Sequence, residues 1–178
     1  MAERIVVLGI GNVLAGDDGV GPHAVHHFST HYECEPGAPV EIVDGGTPGF
    51  DLSIWLYETR VLFVIDALAS GDAPGTLRVF DREAILAAPP PPRVSPHQPG
   101  LREALLTAEL AYGVTPDITL YGVTGANFEL GCELTAPVQA AMEESVARVV
   151  EALRALGVRV TRRSTPLDVH AWWEGTSP

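Results

Sequence analysis

Residues 9–19 read GIGNVLAGDDG, directly after the apolar run RIVVLGI (4–10). Short, rich in β-branched residues and ended by Gly9, the run over 4–9 reads as a buried strand. The glycines that follow turn the chain tightly off that strand toward a helix. Such a turn commonly binds phosphate, because a helix N-terminus presents bare amide hydrogens. This one carries Asp17 and Asp18 instead. A dinucleotide fingerprint needs a third glycine, and that position is Leu14; a phosphate loop needs a lysine, and the chain contains none. Two carboxylates at the helix start would also repel a pyrophosphate. One Asp suffices to cap the helix. The second is left free for other chemistry.

The same alternation continues outward from this turn. GPHAVHHFSTHY (21–32) reads as a helix with Pro22 in its first turn, and VEIVDGG (40–46) as a second strand. Thr47 and Pro48 have the N-cap and N1 character of another helix start. RVLFVIDA (60–67) is the most apolar run and is expected at the centre of the sheet. APGTLRVFD (73–81) reads as a short edge strand, and AAPPPPRVSPHQPG (87–100) as a stiff proline-rich loop. LREALLTAELAYG (101–113) reads as a helix and ITLYGVTG (118–125) as a further buried strand. VQAAMEESVARVVEALRALG (138–157) is an amphipathic helix stopped by Gly157. Strands alternating with helices predict an α/β fold with a mainly parallel sheet covered on both faces. One domain is expected over 1–160, followed by a tail, 161–178, in which Trp172 and Trp173 follow no period.

The net charge is −12, from 23 acidic and 11 basic residues. That balance excludes a basic footprint for nucleic acid or an anionic membrane. No apolar run approaches the roughly 20 residues that cross a bilayer. The start, MAERIVVLG, enters a strand without a targeting pattern, so a cytoplasmic protein is expected. Cys34 and Cys132 are far apart, outside any metal-ligand spacing, and imply no disulfide framework. No sequence signal reports the oligomeric state.

In such sheets functional groups gather beyond the C-terminal ends of the strands. Asp66 ends the central strand, and Asp44 holds the equivalent place on the strand over 40–46. Gly45 and Gly46 beside it let backbone approach something closely. His97 stands in SPHQ, just before a helix. Asp18, Asp66 and His97 come from separate junctions that can converge at one sheet edge. Two carboxylates and an imidazole with open positions suit a divalent metal of borderline hardness. His23, His26 and His27 cluster on the first helix; His23 and His27, at i and i+4, read as a polar helix face rather than a metal site. Neither a GxSxG elbow nor an HExxH motif is present, and neither cysteine has an evident base. Peptide hydrolysis by this chain would have to use carboxylates or a bound metal.

GIGNVLAGDDGVGPHAV (9–25), VDGGTPGFDL (43–52), FVIDA (63–67) with APGTLRVF (73–80), and SPHQPGL (95–101) follow one another in an order and at separations that resemble the hydrogenase maturation proteases. The likeness covers about residues 4–156. It implies a three-layer α/β/α sandwich around a twisted, mainly parallel sheet. It implies an endopeptidase that removes a short C-terminal extension from the [NiFe]-hydrogenase large-subunit precursor once nickel has been inserted. The nickel would then come with the substrate rather than reside in the protease. By position, Asp18 matches the family's first acidic metal ligand, which several members carry as Glu, one methylene longer. Asp66 matches the second ligand and His97 the third. Gly9, Gly11, Asn12, Gly45 and Gly46 would form the backbone of the cleft. Asp17 would support the helix start, and Asp17 or Asp44 would serve as base if the metal is only a recognition signal. The reading from another class is a non-catalytic nickel-binding or nickel-sensing chaperone using the same ligands.

Overall fold

The computed structural model describes residues 3–47, 52–87, 100–113, 116–131 and 133–174. The expected first strand is β1 (Ile5–Ile10), followed by a 3-10 turn (Gly16–Gly19) and helix α1 (Val20–His31). Then come β2 (Tyr32–Cys34), β3 (Val40–Gly46), α2 (Ser53–Leu56), β4 (Val61–Leu68) and β5 (Leu77–Asp81). The chain continues through α3 (Arg82–Ala87), α4 (Leu101–Tyr112), β6 (Asp117–Thr124), α5 (Ala136–Ala155) and β7 (Val160–Arg162).

Five strands form one sheet in the order β3-β1-β4-β6-β5. β1 runs parallel to both β3 and β4, and β4 parallel to β6; only β5 is antiparallel, on β6. The most apolar run, β4, lies at the centre, and β5 at an edge, as its composition predicts. Alternating side chains leave the strands toward two separate cores. Ile5, Val7, Phe63 and Ile65 pack with Phe28 of α1 and with Met142, Val146 and Val149 of α5. Val6, Leu8, Leu62 and Val64 pack with Leu56, Ile85 and Leu105 of α2, α3 and α4. Layers on both faces make an α/β/α sandwich, and the parallel strands send their C-terminal ends to one edge.

Helix α1 lies against the sheet without a spacer. A Cβ on Gly21 would collide with Ile10 backbone and with the Ile65 carbonyl, and one on Gly9 with the Gly21 carbonyl. Two glycines facing one another thus set how closely the first helix approaches the ends of β1 and β4.

Three pieces depart from the sequence reading. α3 begins at Arg82, before the stretch read as a proline-rich loop. β2 and β7 pair antiparallel as a second small sheet, with Tyr32 opposite Arg162 and Cys34 opposite Val160. Three-residue strands are too short to carry a periodicity, so β7 sits across the 160/161 boundary expected for the tail. No helix among the described residues is long and apolar enough to cross a membrane. The expected helix start at Pro48, Cys132 and the proline-rich residues 88–99 lie outside the described residues.

Candidate active site

The loop after β1 begins at Gly11, whose φ of 140° belongs to glycine and whose Cβ would strike the Asp18 carbonyl. Gly11 N–H donates to the Gly46 carbonyl at 2.8 Å, tying the ends of β1 and β3 together. Asn12 N–H donates to Asp18 Oδ2 at 2.9 Å, so the loop holds the carboxylate from its own backbone. The remaining Asp18 oxygen is not engaged by that bond. Gly9, Gly11, Asn12, Gly45 and Gly46 are all at this edge of the sheet, with Gly9 in register with Asp44.

Neither aspartate caps α1. The N-cap is Gly19, with no side-chain bond. The 3-10 turn points Asp17 away from the helix, across to the loop between β6 and α5. There its carboxylate, fully buried, accepts from Ala126 N (2.7 Å), Asn127 N (2.9 Å), Thr135 N (2.7 Å) and Thr135 Oγ1 (3.0 Å). Burial alone would raise its pKa, but those donors together hold it below the usual carboxylate range. Asp17 N–H and Gly16 N–H bond back to the Asn127 and Gly131 carbonyls at 2.8 and 2.7 Å. Asp17 therefore fastens the 3-10 turn to the loop between β6 and α5 and presents no accessible surface to a substrate.

Asp66 is the sixth residue of β4, in register with Gly122 of β6. Its Oδ1 accepts from Ala67 N at 2.8 Å. Burial pushes its carboxyl up to about 7, and the nearby negative charge of Asp18 adds to the rise. The structure thus brings Asp18 and Asp66 within electrostatic reach of one another at the sheet edge. Two carboxylates that repel one another, one of them desolvated, favour either protonation of the buried one or a cation. Among the described residues no group of three or more His, Cys, Asp or Glu side chains could hold a metal ion. His97, the expected third donor, lies outside the described residues.

Asp44 is exposed at the end of β3. Its Oδ1 accepts from Gly46 N at 2.9 Å and its Oδ2 from the indole Nε1 of Trp172 at 3.0 Å. That second partner is absent from the sequence reading. The chain beyond β7 returns along α1, where Arg163 N and Leu167 N donate to the carbonyls of His31 and Thr30 at 2.8 and 3.0 Å. Trp173 is then buried with Val13 and Ala171 in a small core of its own. Its ring lies 5.0 Å from His23 and 5.7 Å from His26. His27 stacks on His31 at 3.9 Å. The histidines of α1 are therefore packing surfaces rather than one polar face. Neither tryptophan carries a periodic signal; a Trp pair far from any core run was their one trace in the sequence.

A family model for hydrogenase maturation proteases (HycI) matches residues 22–152. The chain is 37% identical to the hydrogenase expression/formation protein HupD of Rhizobium leguminosarum bv. viciae, over 91% of this chain and 80% of that protein. It is 34% identical to the hydrogenase 2 maturation protease of Escherichia coli K12, covering 93% of this chain and 99% of the relative. Among solved structures it resembles the hydrogenase maturating endopeptidase HybD from E. coli, with a TM-score of 0.80 and 36% identity, over 90% and 98% of the two chains.

Proposed function

Because this chain belongs to the hydrogenase maturation protease family and is a peptidase, we propose that it removes a short C-terminal extension from the nickel-loaded [NiFe]-hydrogenase large-subunit precursor. The observation that carries this reading is the Asp18–Asp66 pair at the C-terminal edge of the sheet, with Asp18 held by the Asn12 amide and Asp66 near the end of the central strand, where burial and the Asp18 charge raise its pKa. A divalent cation arriving with the substrate relieves both penalties at once. It displaces the Asp66 proton and neutralises the like charges. The nickel belongs to the substrate, and Asp18, Asp66 and His97 are the ligands proposed to recognise it.

Docking through the metal would hold the scissile bond rigidly beside the cleft, and such orientation alone lowers barriers by several kcal/mol. A bound metal ion polarises a carbonyl or acidifies a water. The protein's own base must be an accessible group with room to accept a proton. Asp17 is buried under four donors. Asp44 is exposed, and its two hydrogen bonds leave lone pairs on both oxygens. We therefore assign the base to Asp44.

The test is mass spectrometry of the precursor, with and without nickel, after incubation with wild type, Asp18→Asn or Asp66→Asn. Loss of a C-terminal peptide only from the nickel-loaded form, and only with wild type, is the expected result. Cleavage of the nickel-free precursor, or full activity in both variants, would overturn the recognition scheme. Tight association without cleavage would move the assignment to the nickel-sensing chaperone.

A further inference from the structure

Residues 163–173 use their contacts to reach Asp44 near the end of β3 rather than to extend either main core. The path is fixed at successive points. Arg163 pairs with Glu33 at 2.6 Å, Leu167 N–H holds the Thr30 carbonyl, and Trp173 is buried against Val13. Glu174 closes the last turn by accepting from Ala171 N at 3.1 Å and pairing with His170 at 3.0 Å. Anchored on both sides, Trp172 stays 64% exposed, and its ring stands nearly perpendicular to Trp173, at 87°. An exposed indole gains little from burial. What its position does accomplish is one hydrogen bond, from Nε1 to Asp44 Oδ2.

Asp44 has a second restraint, the Gly46 N–H on Oδ1, which fixes that oxygen but leaves the carboxylate free to swing about it. Two donors on different oxygens fix the plane. We infer that Trp172 is a positioning residue for the cleavage reaction: its indole N–H, delivered by the anchored tail, sets the orientation in which Asp44 faces the cleft. This rests on the assignment of Asp44 as base. A mispositioned base keeps its chemistry but loses productive geometry, so the effect belongs in turnover and not in substrate binding.

The discriminating variants are Trp172→Phe, which keeps a ring and loses the donor, Asp44→Asn, and the two combined. Steady-state cleavage of nickel-loaded precursor is measured for each, with thermal unfolding alongside. Trp172→Phe is expected to lower kcat by about tenfold with KM and melting temperature unchanged. Asp44→Asn should lower kcat further, and adding Trp172→Phe to it should cost nothing more, since the donor then has no base to orient. Wild-type kcat in Trp172→Phe, a rise in KM alone, or full additivity in the double variant would overturn the inference. Wild-type turnover in Asp44→Asn would instead remove the assignment of the base, which separates the two failures.

Discussion

Asp66 is held where ionisation is unfavourable, and this has a measurable thermodynamic sign. Burial and the Asp18 charge push its pKa up to about 7 in the folded chain, well above the ordinary carboxylate range, so the folded state binds the proton more tightly. Stability contributed by the neutral form is complete below about pH 4 and is lost progressively as pH rises to about 7. Replacement by the isosteric amide removes that loss. Asp66→Asn is therefore expected to be more stable than wild type at pH 8, by up to about 4 kcal/mol in urea unfolding, with the gain vanishing toward pH 4. A difference independent of pH would refute this account of the site. A cation bound there, as proposed, would replace the proton and offset that cost. The site is least comfortable when empty at alkaline pH.

Between α1 and the sheet the contact is backbone on backbone. Gly21 meets backbone atoms of Ile10 and Ile65, none of which can rotate aside as a side-chain tip would. Gly21→Ala is expected to destabilise the protein by more than about 3 kcal/mol in urea unfolding. At Gly37, where a Cβ meets nothing within 4 Å, the same change should cost about 1 kcal/mol, from its φ of 83° alone. Comparable costs at the two positions would mean that α1 can shift to make room. At this scale the sequence was a good guide. Strands buried on both faces, such as β1 and β4, show as unbroken apolar runs, and of the α5 stripe read at 142, 146, 149, 150, 153 and 156 all but the exposed C-cap Leu156 lie in the core. β2 and β7 were illegible because a three-residue ladder is recognised by its partner, not by its composition.

Over the whole molecule, legibility depended on whether a residue's partners have side-chain signatures. Asp18, Asp44 and Asp66 could be placed because strand ends define the working edge of an α/β sheet. Asp17 could not, since Ala126, Asn127 and Thr135 meet it largely through backbone amides 109–118 residues away. The tail was equally silent, for its backbone hydrogen bonds, its Arg163–Glu33 pair, its buried ring and the Trp172 indole bond follow no period. Its separation from the main cores leads to a further expectation. Both cores end at or before Val160, so a chain stopped after Arg162 should still unfold cooperatively, with its melting temperature lowered by only a few degrees. Loss of the cooperative transition would show that the tail is part of the folding unit.

The bond from Trp172 to Asp44 joins positions 128 residues apart in the chain. During synthesis Asp44 and Val13 emerge early, and the tryptophans that meet them are added long afterward. The rim of the cleft therefore stays unfinished while most of the sandwich is already made, and a nascent chain carries its acidic edge with one side unclosed. Asp44 thus gains its indole donor only after every strand of the main sheet has been synthesised.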